Sequence, residues 1–195
     1  YTYTTRQGPE MENYNNLAMF RYNAYFGVHT AYYMDLISQS GRMALPMSKV
    51  IFAAIKTILA RTLAKKNTQP KVLNPWIHGL FIKLDNLKFI SYVDIDGFPV
   101  VLPVIQTQAL DANRVVFALG AFSQELRKIP AGVRMAVYGM SFSMETVLMR
   151  GTYSGIQSVA GIPSGLVSID WVYNSMPPVP QQIYPPLKVE PVREF

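Results

Sequence analysis

Six β-rich segments follow one another between positions 87 and 173, and their links leave room for no more than one short helix. That series limits the fold more than any other feature of the chain. LKFISYVDI (87–95) leads into Asp96-Gly97, a hairpin signal, and FPVVLPVIQ (98–106) returns as its partner. Pro99 and Pro103 cannot donate to a ladder, so they belong at a strand start and at an edge or bulge. LDANR turns into RVVFAL (114–119), and a short helix over 123–129 is stopped by Pro130. VRMAVYGM (133–140), ETVLMRGTYS (145–154) and GLVSIDWVY (165–173) complete the set. Segments in that order pair with their neighbours, which predicts a closed or partly closed antiparallel barrel.

The flanks are built differently. Residues 1–16 are polar, rich in Tyr, Thr and Asn, and read as an arm. Asn15 and Asn16 offer an N-cap for a helix over 17–40, with Gly41 just past its end. Leu17, Phe20, Ala24, Val28, Ala31 and Ile37 share a face of that helix, and Tyr22, Tyr25, Phe26, Tyr32 and Tyr33 spread around it. A helix so apolar on all sides is buried against a partner, which predicts a homodimer. A second helix is expected over 46–66, opened by Pro46, with Val50, Ile51, Ile55, Ile58, Leu59 and Leu63 as its apolar set. A polar, Pro-flanked break over 67–75 follows. The tail over 174–195 holds 6 of the 14 prolines and reads as an extended strap across the barrel or a neighbour, anchored by Trp171, Tyr173, Met176, Ile183 and Tyr184. A ligand for a proline-recognition domain is the other reading of such a composition.

Charge is distributed unevenly. Residues 1–88 hold 11 Lys/Arg and 4 Asp/Glu, giving +7, and residues 89–195 hold 7 and 8, giving −1, which together make the net +6. No basic field covers the strands, and the aromatics are not interleaved with basic strand positions, so nucleic acid is not an expected partner. Arg42, Lys49, Lys56, Arg61, Lys65, Lys66 and Lys71 lie on and around the second helix, with no acid between Asp35 and Asp85. The ordinary reading is the solvated face of a packed helix; the sharper one is a helix lying on an anionic membrane surface. No stretch is apolar for long enough to span a bilayer. The chain starts at Tyr1 without an initiator Met, so something upstream was removed, and a cytoplasmic location is the expectation.

Conventional catalytic groupings are missing from the sequence. There is no Cys, which removes disulfides, thiolate metal sites and a cysteine nucleophile together. The two histidines, His29 and His78, both precede the strands and show no metal-ligand spacing, so no metal site is expected. No GxSxG elbow, GxGxxG run or Walker loop appears. Asp94 and Asp96 flank a hairpin turn, where Asp is a good turn former. What remains is Ser123, Arg127 and Lys128 on the short helix, where a Ser cap and a basic pair can meet a phosphate. A cofactor that brings its own chemistry suits such a chain.

FISYVDIDGFPVVLPVI, then NRVVFALG, a Ser with a basic pair, and GVRMAVYG resemble the FMN-binding split-barrel superfamily, the group that includes pyridoxamine 5′-phosphate oxidase. The resemblance covers roughly 87–155. It implies a homodimer with FMN in grooves at the subunit interface, and an oxidoreductase of unstated substrate. Carried onto this sequence, Pro103, Val104, Ile105 and Gln106 would border the isoalloxazine, and Ser123, Arg127 and Lys128 would hold the phosphate. Gln124 and Glu125 depart from the family, which often places Arg-Lys directly after the Ser. Haem- or deazaflavin-binding relatives exist, for which His29 or His78 would matter as an axial ligand, and a cofactor-free binding or structural dimer is the alternative from another class. The expected fold is therefore α+β: an N-terminal arm and helical region over 1–75, a six-stranded antiparallel split β-barrel over 76–173, and a Pro-rich tail over 174–195.

Overall fold

Alternation of buried and exposed positions fixes the strands of the sheet. In β3 (Leu87–Val93) Lys88, Ile90 and Tyr92 point inward, and in β7 (Arg134–Met140) Met135, Val137 and Gly139 do so, the period-two signature of a strand with one covered face. The computed structural model describes residues 3–5, 8–16, 31–33, 35–36, 44–143, 145–174 and 181–187. By contact the chain forms two units, Tyr1–Ala44 and Leu45–Phe195.

In the first unit β1 (Tyr3–Thr5) pairs antiparallel with β2 (Ala31–Tyr33), and α1 spans Pro9–Asn15. The arm expected over 1–16 thus contains a strand and a helix. Residues 31–33 form a strand where a helix over 17–40 was expected, as suits an Ala-Tyr-Tyr run facing Tyr-Thr-Thr. Residues 35–36 are not helical either, and the remaining positions of that expected helix lie outside the described residues, as does His29.

The second unit is α+β, an eight-stranded antiparallel sheet with few helices. After β3 come β4 (Pro99–Pro103), β5 (Gln108–Ala109) and β6 (Arg114–Ala118), then β7, β8 (Thr146–Val159), β9 (Ile162–Asn174) and β10 (Gln181–Tyr184). The order is β4-β3-β7-β8-β9-β6-β5, with β10 also paired to β9. Among the described residues no ladder joins β4 to β5, so the sheet stays open, where the strand series alone left a closed barrel possible. It nevertheless wraps one core: Leu102 of β4 and Ala109 of β5, at opposite ends of the order, belong to the same buried cluster as Ile90, Val137, Met149, Phe117 and Val167.

Local chemistry explains the corners. Gly97 sits at φ 79° in the β3–β4 hairpin, its N–H donating to Asp94 O at 2.9 Å, as the Asp-Gly signal predicted. Pro99 and Pro103 are the first and last residues of β4, which is an edge strand. The tail returns as β10, with Trp171 Nε1 donating to Gln182 Oε1 at 2.9 Å and Ile183 and Tyr184 packed on the core, as the strap reading expected. Met176 lies outside the described residues.

Helix α2 (Met47–Leu63) packs on β5, β6 and β9, and so belongs to the sheet unit, whereas the sequence placed the boundary near 75. Its contact is close. Thr57 Oγ1 donates to Ala53 O at 2.8 Å and accepts from Ala118 N at 2.9 Å. A Cβ on Gly120 would stand 2.3 Å from Ala53 Cβ, so only glycine lets helix and loop approach this far. The side chains turned inward are Val50, Ala53, Ala54, Thr57 and Ala60. Of the expected apolar set only Val50 is buried; Ile51, Ile55, Leu59 and Leu63 face solvent. Helix α3 (Pro75–Ile82) was not expected. Asn74 caps it, Oδ1 accepting from Ile77 N at 2.9 Å, and it buries Ile77, Leu80 and Phe81 in the core.

Candidate functional site

The core beneath the sheet is packed with apolar side chains, and the grooves described lie at its borders and on its outer face. A groove of about 1220 Å³ opens where the C-terminal end of α2, the 66–75 connection, α3 and the β5–β6 turn meet. Leu73, Pro75, Ile82 and Leu110 give it apolar walls, while Arg61, Lys66 and Lys71 bring three cations to it.

Asp111 builds the wall. Oδ1 accepts from Asn113 N at 3.1 Å and Arg114 N at 2.9 Å, and Oδ2 accepts from Asn67 N at 2.9 Å and Arg114 Nε at 2.8 Å. One carboxylate thus ties the connection after α2 to the β5–β6 turn. Burial would raise its pKa, but the bonds from Arg114, Asn67 and Asn113 outweigh that and hold it below the ordinary carboxylate value. Its negative charge is satisfied within the wall, leaving the three groove cations to a ligand.

His78, half-buried on α3, also lines the groove. Burial lowers its pKa, and Arg61 and Lys66 push the same way against the pull of Asp111. The imidazole therefore favours its neutral form at pH 7.

The residues implied by the resemblance lie elsewhere. β4 ends at Pro103, and 104–107 turn inward instead of continuing the strand expected to 106. Val104 and Gln106 are buried, Pro103 and Ile105 half-buried. Gln106 Nε2 donates to Ala118 O at 3.0 Å, while its Oε1 is buried without a partner. Lys88 is fully buried beneath this turn, its ammonium bonded to Lys83 O and Ile105 O, and burial lowers its pKa to about 8.

Helix α4 (Ser123–Lys128) forms as expected, but its cap position is Phe122, at φ 57° and without a side-chain cap bond. Ser123 is half-exposed and does not cap the helix. Arg127 and Lys128 are exposed in the last turn, where cations complement the carbonyl end of the helix. None of the four grooves described is lined by Ser123, Arg127 or Lys128. The structure does not bring these three residues into one groove with Pro103–Gln106.

On the outward face of β3, β4, β7 and β8, two smaller grooves share Ser91 and Ala136. The cations there are already engaged: Arg134 pairs with Asp170, and Arg150 lies 3.9 Å from the Trp171 ring centroid. Among the described residues no cluster of His, Asp and Glu can hold a metal ion, and no helix is long and apolar enough to cross a membrane.

No protein-family model matches the chain, and no curated protein matches it. Among solved structures, tagged HupZ from Group A Streptococcus is similar over 53% of this chain and 94% of its own, at 14% identity and a TM-score of 0.44. A histidine-to-alanine variant of the same protein covers 53% of this chain and 99% of its own, at 15% identity and the same TM-score, 0.44. At that level the likeness carries no argument about fold or ligand, and the site rests on its geometry.

Proposed function

We propose that this chain is a split-barrel protein that binds a planar cofactor carrying an anionic group, FMN first among them, in the groove of Arg61, Lys71 and His78. The observation that carries the reading is the pairing of apolar walls with cations that form no salt bridge among the described residues, in a groove of about 1220 Å³. A flavin ring needs such walls and its phosphate such cations. Leu73, Pro75 and Leu110 would take the ring and Arg61, Lys66 and Lys71 the phosphate. Bound there, the flavin supplies the electron chemistry of an oxidoreductase, and the chain supplies charge and shelter. Haem belongs to the same class, and the neutral His78 is what favours it as an alternative occupant.

A second address, Ser123, Arg127 and Lys128 with Pro103–Gln106 at the ring, follows from the resemblance. It is favoured by one observation: among the described residues neither Arg127 nor Lys128 is in a salt bridge. That address has no wall within one chain and would need a second copy to complete it.

The absorbance spectrum of the purified protein, and the cofactor released on denaturation, test the reading. A yellow protein that releases FMN supports it. A protein that is colourless and takes up neither FMN, riboflavin nor haemin leaves the cofactor-free dimer in its place.

A further inference from the structure

Helix α2 is apolar on two faces, and the larger side chains are on the outer one. Against the sheet it buries Val50, Ala53, Ala54, Thr57 and Ala60. Away from the sheet, Met47 is 54% exposed, Ile51 57%, Phe52 58%, Ile55 53%, Leu59 48% and Leu63 67%. At 3.6 residues per turn these six occupy an arc of about 160° along a helix roughly 25 Å long. The only polar residues inside that arc are Ser48 and Thr62, and the Thr62 hydroxyl donates to Ile58 O at 2.8 Å. Exposed apolar surface this continuous marks a contact with something other than water.

The charges at its borders say what kind. By the same rotation Lys49 and Lys56 flank the arc on one side and Arg61 on the other. Lys56 Nζ lies 4.4 Å from the Phe52 ring centroid, so its stem follows the apolar ridge while the ammonium stays at the edge. From 36 to 84 the chain has eight Lys/Arg and no Asp or Glu.

We propose that α2 docks this protein on an anionic lipid surface, lying in the interfacial plane with its outer face at the acyl boundary and Lys49 and Lys56 at the lipid phosphates. A large apolar face, a basic rim and a straight ridge are what such a helix needs. Pairing with the α2 of a second copy is disfavoured, because it would set one basic rim against another with no acid on either helix. The arc is also wider than the seam that one partner helix covers.

The test is sedimentation of the full chain with vesicles of phosphatidylcholine, alone or containing phosphatidylglycerol. Binding to the anionic vesicles should exceed that to neutral ones by about tenfold or more, and fall as salt screens the rim. Ile55→Gln with Leu59→Gln should cut binding about tenfold or more, leaving circular dichroism and elution volume unchanged, because both side chains are exposed. Lys49→Glu with Lys56→Glu should abolish the preference for anionic lipid. The emission of Phe52→Trp should shift to the blue on anionic vesicles. Sedimentation that ignores lipid charge, or emission that does not shift, overturns the proposal. So does an Ile55→Gln, Leu59→Gln protein that binds vesicles normally but dissociates from a dimer to a monomer, since the face is then covered by a second copy.

Discussion

The cations of the groove and the cations of α4 differ in what surrounds the charge. At the groove, Arg61, Lys66 and Lys71 stand over Leu73, Pro75 and Leu110, beside a wall that Asp111 holds rigid. On α4, Arg127 and Lys128 end a six-residue helix in open solvent. Charge exposed to water is screened and gives little selectivity. The same charge beside an apolar wall can hold an anion and its attached ring together. Binding is therefore a property of the wall as much as of the cations.

The largest expected effect comes from removing the wall. Asp111→Ala leaves the Arg114 guanidinium and three backbone N–H groups without their acceptor, and should cost about 4 kcal/mol in urea denaturation. Ser123→Ala, at a position that makes no cap bond, should change stability by less than about 0.5 kcal/mol. Equal losses from the two would erase the distinction between a built site and a surface one.

Lys88 links the two regions, bonding to Lys83 O just after α3 and to Ile105 O in the turn next to the resemblance's ring site. Its folded pKa of about 8 lies below the ordinary lysine value of 10.5, so the folded state releases this proton first. Stability relative to Lys88→Met should be flat below pH 8 and rise by about 3 kcal/mol between pH 8 and 10.5. Denaturant midpoints of both proteins across that range provide the check. A difference that does not change with pH would mean that Lys88 is hydrated and does not clamp the turn.

Smaller again is the effect of single cations on affinity. With FMN in the groove, Lys71→Ala should weaken FMN binding about tenfold, some 1.4 kcal/mol, and barely change riboflavin binding. Arg127→Ala and Lys128→Ala should do so instead if the phosphate lies on α4.

Strands such as β3 and β7 were legible because they alternate along one covered face, β6 because RVVFA is a short β-rich run buried at 115–118, and the β3–β4 hairpin because Asp96-Gly97 and the two prolines mark it. β5 is two residues long and carries no period, so nothing in the sequence marks it as a strand. Helix α3 announces itself only by Asn74-Pro75, a cap and a first-turn proline inside what read as a linker. The error on α2 has a physical source. Helical period gives the direction of an apolar stripe but not which side meets the sheet, and here small Ala and Thr side chains win the close approach beside Gly120. The groove was hidden for a similar reason: Arg61, Lys71, His78 and Asp111 are far apart in sequence and meet only because α2 and α3 both pack on β5.

Flavin fluorescence titration of the wild type against Arg61→Glu with Lys71→Glu, using FMN and riboflavin in parallel, addresses the groove most directly. Both side chains lie on the groove and outside the core, so the variant should unfold at the same denaturant concentration as the wild type. The groove reading predicts that FMN affinity falls about a hundredfold or more while riboflavin affinity stays within about twofold. FMN binding that survives both reversals, or is lost only with Arg127→Ala and Lys128→Ala, would contradict it.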